Sequence, residues 1–380
     1  MQGERAEGPE PDREVRDPAN RGRAYRPVGR VPGSGRGYAR CRAPPARDPR
    51  VVEHIRGRDV RDRAPPRPPA TAPGGHRSTH MALGYDQQLF ILAFDHRGSF
   101  QKKMFGIAGD PNPEETARII DAKAVIAAGF ARALEDGAQA GTAGILVDEQ
   151  FGTEVARAGL AAGRIVAMPV EKSGLDYFDF EYGDDFGAHI ESFDPTFSKI
   201  LVRYNPEGSA DDNARSLAGL RTLSDWLHAR DRKFLLELLV PGEPHQIEAA
   251  GGEDAYDTDV RPGLMRQAIV AMQDAGIEAD IWKIEGIDKR EDCEMIAEQT
   301  RAGGRDGVGC VVLGRGADDA KVDHWLRTGA GVPGYLGFAI GRSIWWDQLK
   351  GYLDGSLSGD EAAAQISANY RRYIDVYVGG

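Results

Sequence analysis

A lysine in the middle of a short apolar run is the first candidate for chemistry in this sequence. Residues 279–286 place apolar, β-branched and aromatic residues around Lys283, which predicts a buried strand. Side chains alternate between the faces of a strand, so Lys283 shares a face with Ile281 and Glu285. A buried ammonium group is costly unless it is paired or neutral. Three interpretations follow: an ion pair with Glu285, an ordinary lysine on an edge strand, or a neutral amine that attacks a carbonyl to form a Schiff base.

Other charged residues stand within or directly after the apolar runs that precede this one. They are Asp95, His96, Arg97, Asp148, Glu149, Glu171, Lys172, Lys199, Arg203 and Glu237. Alternation places Lys199 and Arg203 on one face of their strand. Each residue alone has an ordinary structural explanation. If the strands run parallel, however, their C-terminal ends meet at one edge, and this set of residues then predicts an active site.

Two glycine-arginine turns predict an anion site. Gly314-Arg315-Gly316 and Gly341-Arg342-Ser343 each follow an apolar run, and the second directly precedes a predicted helix. Glycine amides and a helix N-terminus bind phosphate, and an arginine adds a bidentate charge-assisted contact. Ordinary turns with surface arginines are the alternative. We favour phosphate, and therefore a phosphorylated small molecule as substrate.

The histidine spacing speaks against a zinc-dependent aldolase. Beyond the first eighty residues, no two histidines form an H-x-H pair or an i, i+4 pair. Zinc ligands that come from separate strands would escape this criterion. We predict that no metal or other cofactor is needed. His96 and His245, near strand ends, are then expected to form hydrogen bonds.

The elements that position these residues alternate regularly. Predicted strands cover residues 89–95, 144–149, 164–170, 199–204, 233–240, 280–285, 309–313 and 335–340. Predicted helices cover residues 113–136, 153–162, 184–193, 210–230, 261–275, 290–302, 318–328, 343–353 and 359–377. Eight such units predict an α/β protein with a single (β/α)8 TIM barrel. An open doubly wound sheet is the alternative, but the turn after the first strand lacks the glycine pattern of a dinucleotide site.

Composition divides the chain at about residue 80. Residues 1–80 contain 18 Arg, no Lys, 10 acidic residues and 13 of the 22 prolines, which predicts a disordered tail. Such a tail could bind acidic partners, or it could be sequence upstream of a natural start at Met81. Residues 81–380 form the predicted barrel domain and hold 30 basic and 49 acidic residues, which argues against nucleic-acid binding.

Three cysteines without a regular spacing fit a reducing cytosol, and no apolar run is long enough to span a membrane. We therefore expect a cytoplasmic protein without nucleic-acid or membrane partners. A homo-oligomer is left open.

Several motifs together resemble the class I tagatose 1,6-bisphosphate aldolases, and more closely the 2-deoxy-5-keto-gluconate 6-phosphate aldolase domain (DUF2090) of bacterial inositol catabolism. The motifs occur in the family's order over roughly residues 85–378. They are Leu92-Ala93-Phe94-Asp95-His96-Arg97-Gly98, Glu171-Lys172-Ser173-Gly174, Phe234-Leu235-Leu236-Glu237-Leu238-Leu239, Trp282-Lys283-Ile284-Glu285 and Gly341-Arg342-Ser343-Ile344-Trp345. The tagatose enzymes tend to carry Gln in place of His96, and a Val-Pro turn and a longer insertion in place of residues 286–288.

The resemblance implies a Schiff-base aldolase that cleaves 2-deoxy-5-keto-D-gluconate 6-phosphate to dihydroxyacetone phosphate and malonate semialdehyde. It implies Lys283 as the Schiff-base lysine, Glu237 as the acid/base, and Asp95 and Lys199 as site residues. Arg342 would bind the phosphate, and we expect the turn of Gly314 and Arg315, together with Gly341, to complete that site. We further expect His96 at the substrate, and Arg203, Lys172 or Arg97 on its far carboxylate. Another ketose-phosphate aldolase and a non-catalytic phosphosugar-binding regulator remain as alternatives.

Overall fold

Eight parallel strands close into a barrel in the computed structural model, which describes residues 82–380. The strands are β1 (Leu89–Ala93), β2 (Ala143–Leu146), β3 (Ile165–Pro169), β4 (Phe197–Arg203), β5 (Lys233–Leu239), β6 (Ile281–Glu285), β7 (Gly309–Leu313) and β8 (Tyr335–Ile340). Each strand pairs with the next one along the chain, and β8 pairs with β1. The predicted (β/α)8 barrel is thus confirmed and the open sheet is wrong. The tail predicted for residues 1–80 lies outside the described residues.

Helices follow every strand of the barrel. They are α1 (Gly98–Phe105), α2 (Pro113–Glu135), α3 (Glu149–Ala161), α4 (Phe186–Phe193), α5 (Ala210–His228), α6 (Pro244–Ala250), α7 (Glu253–Ala255), α8 (Arg261–Asp274), α9 (Arg290–Arg301), α10 (Asp319–Gly329), α11 (Arg342–Asp354) and α12 (Gly359–Val378). All nine predicted helices are present, whereas the short α1, α6 and α7 were missed. Between residues 82 and 380, no helix combines the length and apolar character needed to cross a bilayer.

The second strand ends three residues earlier than the sequence predicted, for a local reason. The side chain of Asp148 accepts a hydrogen bond from the backbone N–H of Phe151 at 2.8 Å, so Asp148 caps the N-terminus of α3. Glu149, predicted as the last strand residue, is therefore the first residue of the helix. Capping by a side-chain oxygen outweighs strand continuation here, because it satisfies an amide that the helix leaves unpaired.

The barrel interior holds an apolar cluster with the charged residues at its C-terminal side. The cluster consists of Leu89, Ile91, Ala93, Leu146, Ala167, Phe197, Leu235, Ile281, Val311 and Ala339. Two positions beyond Phe197, Leu235 and Ile281, the inward positions hold Lys199, Glu237 and Lys283. The charged side chains therefore lie toward the C-terminal end of the barrel.

Candidate active site

Lys199, Glu237 and Lys283 contact one another on three adjacent strands. Glu237 and Lys283 are register partners on β5 and β6. The Nζ of Lys283 and the Nζ of Lys199 each lie 3.0 Å from the same oxygen, Oε2 of Glu237. All three side chains are buried, with 2–6% of each side chain exposed. One carboxylate oxygen therefore bridges two ammonium groups, and Glu237 rather than Glu285 is the ion-pair partner of Lys283.

Two further carboxylates complete the surroundings of Lys199. Its Nζ lies 2.9 Å from Oδ2 of Asp95, just beyond β1, and 3.0 Å from Oε1 of Glu171, beyond β3. Arg97 supports Glu171: its Nη2 donates to the Glu171 carbonyl oxygen at 2.7 Å and lies 3.4 Å from Oε1. The barrel thus assembles a connected set of charges from five strands, β1, β3, β4, β5 and β6. Its predicted members Asp95, Lys199, Glu237 and Lys283 are brought together.

The charges of this set shift one another's protonation equilibria. Burial raises the pKa of both Asp95 and Glu237, but Lys199 and Lys283 oppose it and bring both pKa values below their usual range. Burial lowers the pKa of Lys199, but its three carboxylates outweigh this and place that pKa well above its usual value. Lys199 is therefore a permanent cation that organises the carboxylates. Glu171 differs from the others, since burial raises its pKa despite Lys199 and Arg97.

A lysine from helix α2, missed by the sequence interpretation, holds the end of β1 from outside the barrel. The Nζ of Lys123 donates to the carbonyl oxygens of Phe94 at 2.8 Å and His96 at 3.1 Å, and it forms an ion pair with Asp148. Lys123 is 1% exposed. These contacts fix the backbone on both sides of Asp95. The sequence signal was available, because Lys123 is the single charge among the buried positions of α2.

His96 lies between the charged set and the predicted phosphate site. Burial lowers its pKa to about 4, with Arg342, Lys283 and Lys123 adding to the effect and Asp95 opposing it. The imidazole is therefore neutral at pH 7. Its ring packs edge-on against Trp345 at a centroid distance of 5.7 Å, and its Nδ1 is buried without a hydrogen-bond partner. An unpaired ring nitrogen suits His96 to a hydrogen bond with a polar ligand.

The two predicted glycine-arginine turns are adjacent in space. The Nη2 of Arg342, at the start of α11, donates to the carbonyl oxygen of Arg315 at 3.0 Å. Gly316 has a φ of +75°, and a Cβ built there would lie 2.9 Å from the guanidinium carbon of Arg342. Gly341 approaches β1 so closely that a Cβ would lie 2.4 Å from the carbonyl oxygen of Ala93. Gly341 is thus required by the space that β1 occupies, whereas at Gly316 the positive φ favours glycine and a Cβ would displace the guanidinium of Arg342.

Arg315 itself is directed at carboxylates. Its Nε lies 3.2 Å from Oε1 of Glu285, and its Nη1 lies 2.6 Å from Oδ2 of Asp257. The backbone N–H of Val240 donates to the second oxygen of Glu285 at 2.9 Å, and Arg261 lies 3.4 Å from that oxygen. Glu285 therefore joins the turn after β7 to the end of β5. Arg315 is thus paired with two carboxylates. Anion binding by Arg342 stays a prediction.

The three cations predicted for a far carboxylate occupy different surroundings. Arg97 is buried and also contacts Glu181, with Nη1 3.0 Å from Oε2. Arg203 is half-buried, and its Nη1 donates to the carbonyl oxygen of Leu175 at 3.2 Å. Lys172 is exposed on the hairpin that follows β3. Arg97 belongs to the set around Lys199, because it contacts Glu171.

Comparisons with known proteins agree with this architecture. The chain is similar in structure to Cgl0159 from Corynebacterium glutamicum, with 19% identity, a TM-score of 0.50, and coverage of 77% of this chain and 87% of that one. It is also similar to a fructose-bisphosphate aldolase from Plasmodium falciparum, with 12% identity, a TM-score of 0.56, and coverage of 77% and 91%. These likenesses show a shared fold. No curated protein matches the chain by sequence.

The family comparison is more specific. The sequence profile described as "Uncharacterized protein conserved in bacteria (DUF2090)" matches residues 66–379, which include the whole barrel. The motifs that suggested this family contribute Asp95, Glu237, Lys283 and Arg342, all at the C-terminal end of the barrel. The chain belongs to the DUF2090 family.

Proposed function

We propose that the chain is a class I aldolase that forms a Schiff base through Lys283 and cleaves a phosphorylated keto sugar acid. The substrate that fits best is 2-deoxy-5-keto-D-gluconate 6-phosphate, and the products are dihydroxyacetone phosphate and malonate semialdehyde. The observation that carries this proposal is the contact of the buried Lys283 amine with Oε2 of Glu237 at 3.0 Å. This contact supports the proposal, because a carboxylate within hydrogen-bond reach of a buried amine, at the end of the barrel where such enzymes react, could act as its acid/base group.

The reaction would begin at the ketone next to the phosphate-bearing carbon. The neutral amine of Lys283 adds to this carbon, and loss of water gives a protonated imine. Glu237 then takes the proton of the β-hydroxyl group, the carbon–carbon bond breaks, and its electron pair moves into the imine to give an enamine. The aldehyde leaves. Protonation of the enamine and hydrolysis of the imine release the ketone product and the free amine.

Several residues are candidates to bind the two ends of the substrate. Arg342 and the turn around Gly316 would bind the phosphate, as phosphate sites after the seventh and eighth strands do in other barrels. His96 would donate to or accept from a hydroxyl group through its unpaired Nδ1. Arg203, Lys172 and Arg97 are the candidates for the far carboxylate, and Arg97 would have to exchange its contacts with Glu171 and Glu181 to bind it.

Borohydride reduction in the presence of dihydroxyacetone phosphate tests the proposal. Peptide mass mapping should find the reduced adduct on Lys283. Lys172→Met is the matched control, because it removes an exposed lysine and should still form the adduct. A Lys283→Met variant that cleaves substrate, or an adduct on another lysine, would refute the assignment.

Another ketose phosphate is the second candidate, since the chain shares its fold with a fructose-bisphosphate aldolase. Such a substrate carries no far carboxylate. Comparing kcat/KM for the keto sugar acid phosphate with that for ketose bisphosphates separates the two. Tight binding of all of them without cleavage would instead indicate a phosphosugar-binding regulator.

A further inference from the structure

The buried charges around Lys283 do not balance when this lysine is a nucleophile. Asp95, Glu171 and Glu237 face Lys199 and Lys283. Attack on a carbonyl requires the neutral amine of Lys283. Lys199 would then be the one ammonium group in contact with three carboxylates. Arg97 neutralises little of this negative charge, because it is shared between Glu171 and Glu181. Excess negative charge in a buried site is costly, and a proton on one of the carboxylates removes it.

Glu171 is the carboxyl group best suited to hold this proton. Asp95 and Glu237 both contact the ammonium group of Lys199, which lowers their pKa values against the effect of burial. Burial raises the pKa of Glu171. Its contacts explain the difference: Oε1 meets Lys199 and Arg97, whereas Oε2 is buried and has no hydrogen-bond partner. An ionised oxygen left without a donor is destabilised, so the protonated form is favoured.

A continuous series of contacts joins Glu171 to the reacting amine. The Nζ of Lys199 lies 3.0 Å from Oε1 of Glu171 and 3.0 Å from Oε2 of Glu237, which lies 3.0 Å from the Nζ of Lys283. Each step is within hydrogen-bond reach. As Lys199 passes one of its protons to Glu237, Glu171 turns its protonated oxygen toward Lys199 and replaces that proton, so Lys199 stays an ammonium group. Glu171 needs no contact with the substrate for this role.

We propose that Glu171 is the proton store for Schiff-base formation, a role that rests on the proposed aldolase function. In the form that reacts, Glu171 is a carboxylic acid and Lys283, as the nucleophile, is a neutral amine. The amine adds to the ketone, and the proton it carries moves to the ketone oxygen, which gives a carbinolamine. The carbinolamine hydroxyl then takes a proton through Glu237 and Lys199 and leaves as water. Glu171 ends as a carboxylate opposite the positively charged imine, so the net charge of the site is unchanged.

The groups that face Glu171 determine the pH dependence. Lys199 approaches from β4, Arg97 and Asp95 approach from the end of β1, and Glu237 lies beyond Lys199. Because the acid form supplies the proton, the rate of Schiff-base formation should fall as pH rises through the raised pKa of Glu171. Glu171 would take up a proton again when the imine is hydrolysed.

The test measures trapping with dihydroxyacetone phosphate and cyanoborohydride across a pH series. Wild type should lose rate on the alkaline side. Glu171→Gln should trap about 10²-fold more slowly at neutral pH and should lose this alkaline decline, because the amide cannot ionise. Glu181→Gln is the matched control, since it removes the other carboxylate on Arg97 and should keep the decline. A decline that persists in Glu171→Gln overturns the proposal.

Infrared difference spectroscopy gives a readout that does not depend on turnover. Wild type minus Glu171→Gln should show the carbonyl stretch of a protonated carboxyl group at neutral pH, and dihydroxyacetone phosphate should remove it. If Glu171→Gln does not fold, the difference between wild type and Glu171→Asp decides, because the band should shift rather than vanish. A spectrum without this band refutes the role of Glu171 even where Lys283 is trapped normally. Failure of wild type to trap at Lys283 refutes the aldolase function instead.

Discussion

Replacing Lys199 by methionine should destabilise the protein strongly at neutral pH and weakly in acid. The substitution keeps an unbranched side chain but removes the ammonium group that three carboxylates contact at 2.9–3.0 Å. In the variant, Glu171 would still contact Arg97, and Glu237 would still contact Lys283. Asp95 is the carboxylate most affected by the substitution, because Lys199 is the strongest of the charges that lower its pKa. One uncompensated buried carboxylate lowers the free energy of unfolding by about 3–5 kcal/mol.

The sign of the pH dependence follows from Asp95. In wild type its lowered pKa adds stability above about pH 4, and this stability is lost as pH falls toward the folded-state pKa. In Lys199→Met, burial remains while the strongest opposing charge is gone, so the pKa of Asp95 should lie above its unfolded value. The variant should then gain stability as pH falls. The two unfolding free energies should converge between pH 7 and about pH 4.

Urea unfolding followed by tryptophan fluorescence measures this convergence at several pH values. Lys172→Met, in which the lysine lost is exposed, should follow the wild-type pH dependence throughout. The double variant Asp95→Asn/Lys199→Met should be more stable at pH 7 than Lys199→Met, because it no longer buries the uncompensated carboxylate. If Lys199→Met lowers the free energy of unfolding equally at pH 7 and pH 5, Lys199 acts through packing. The electrostatic reasoning would then be wrong.

Three further predictions concern groups around the site. Lys123→Met should lower the free energy of unfolding by about 3–5 kcal/mol, because it leaves Asp148 buried and unpaired, and urea unfolding should show partial rescue by Asp148→Asn. Gly316→Ala should raise KM for phosphorylated substrates in steady-state kinetics with a smaller effect on kcat, since its Cβ would displace the guanidinium of Arg342. Arg342→Gln should also raise KM, by roughly 10–100-fold for loss of about 1.5–3 kcal/mol of charge-assisted hydrogen bonding, and isothermal titration with inorganic phosphate should show the same weakening.

The sequence predicted the barrel well because its signals are local and repeated. Eight apolar runs alternate with amphipathic stretches, and each needs only its own periodicity to be recognised. Alternation also indicated the strand faces on which Lys199 and Lys283 lie, and in the structure both lysines contact Glu237. Short helices fared worse. The helix α6 begins with a proline and a reciprocal cap between Glu243 and Gln246, but its seven residues are too few to show a period.

The partners within the site could not be predicted, because they depend on how strands are staggered. Alternation allows Lys283 to pair with Glu285 on its own strand, and sequence reasoning considered that pair. In the barrel, register instead sets Lys283 beside Glu237 of β5, and Glu285 is occupied by Arg315, Arg261 and the amide of Val240. Such contacts between distant segments arise only after closure, so the sequence could give the candidates but not their pairing.

Comparison of the three buried lysines indicates why one of them is suited to be the nucleophile. Lys123 is held by two backbone carbonyl oxygens and Asp148, and Lys199 is held by three carboxylates. Lys283, by contrast, contacts the single oxygen that Glu237 already shares with Lys199. A shared oxygen stabilises an ammonium group less than a dedicated one, because its charge is divided between two cations. Of these three, Lys283 has the fewest polar contacts to break when its amine attacks a ketone, which favours it as the nucleophile.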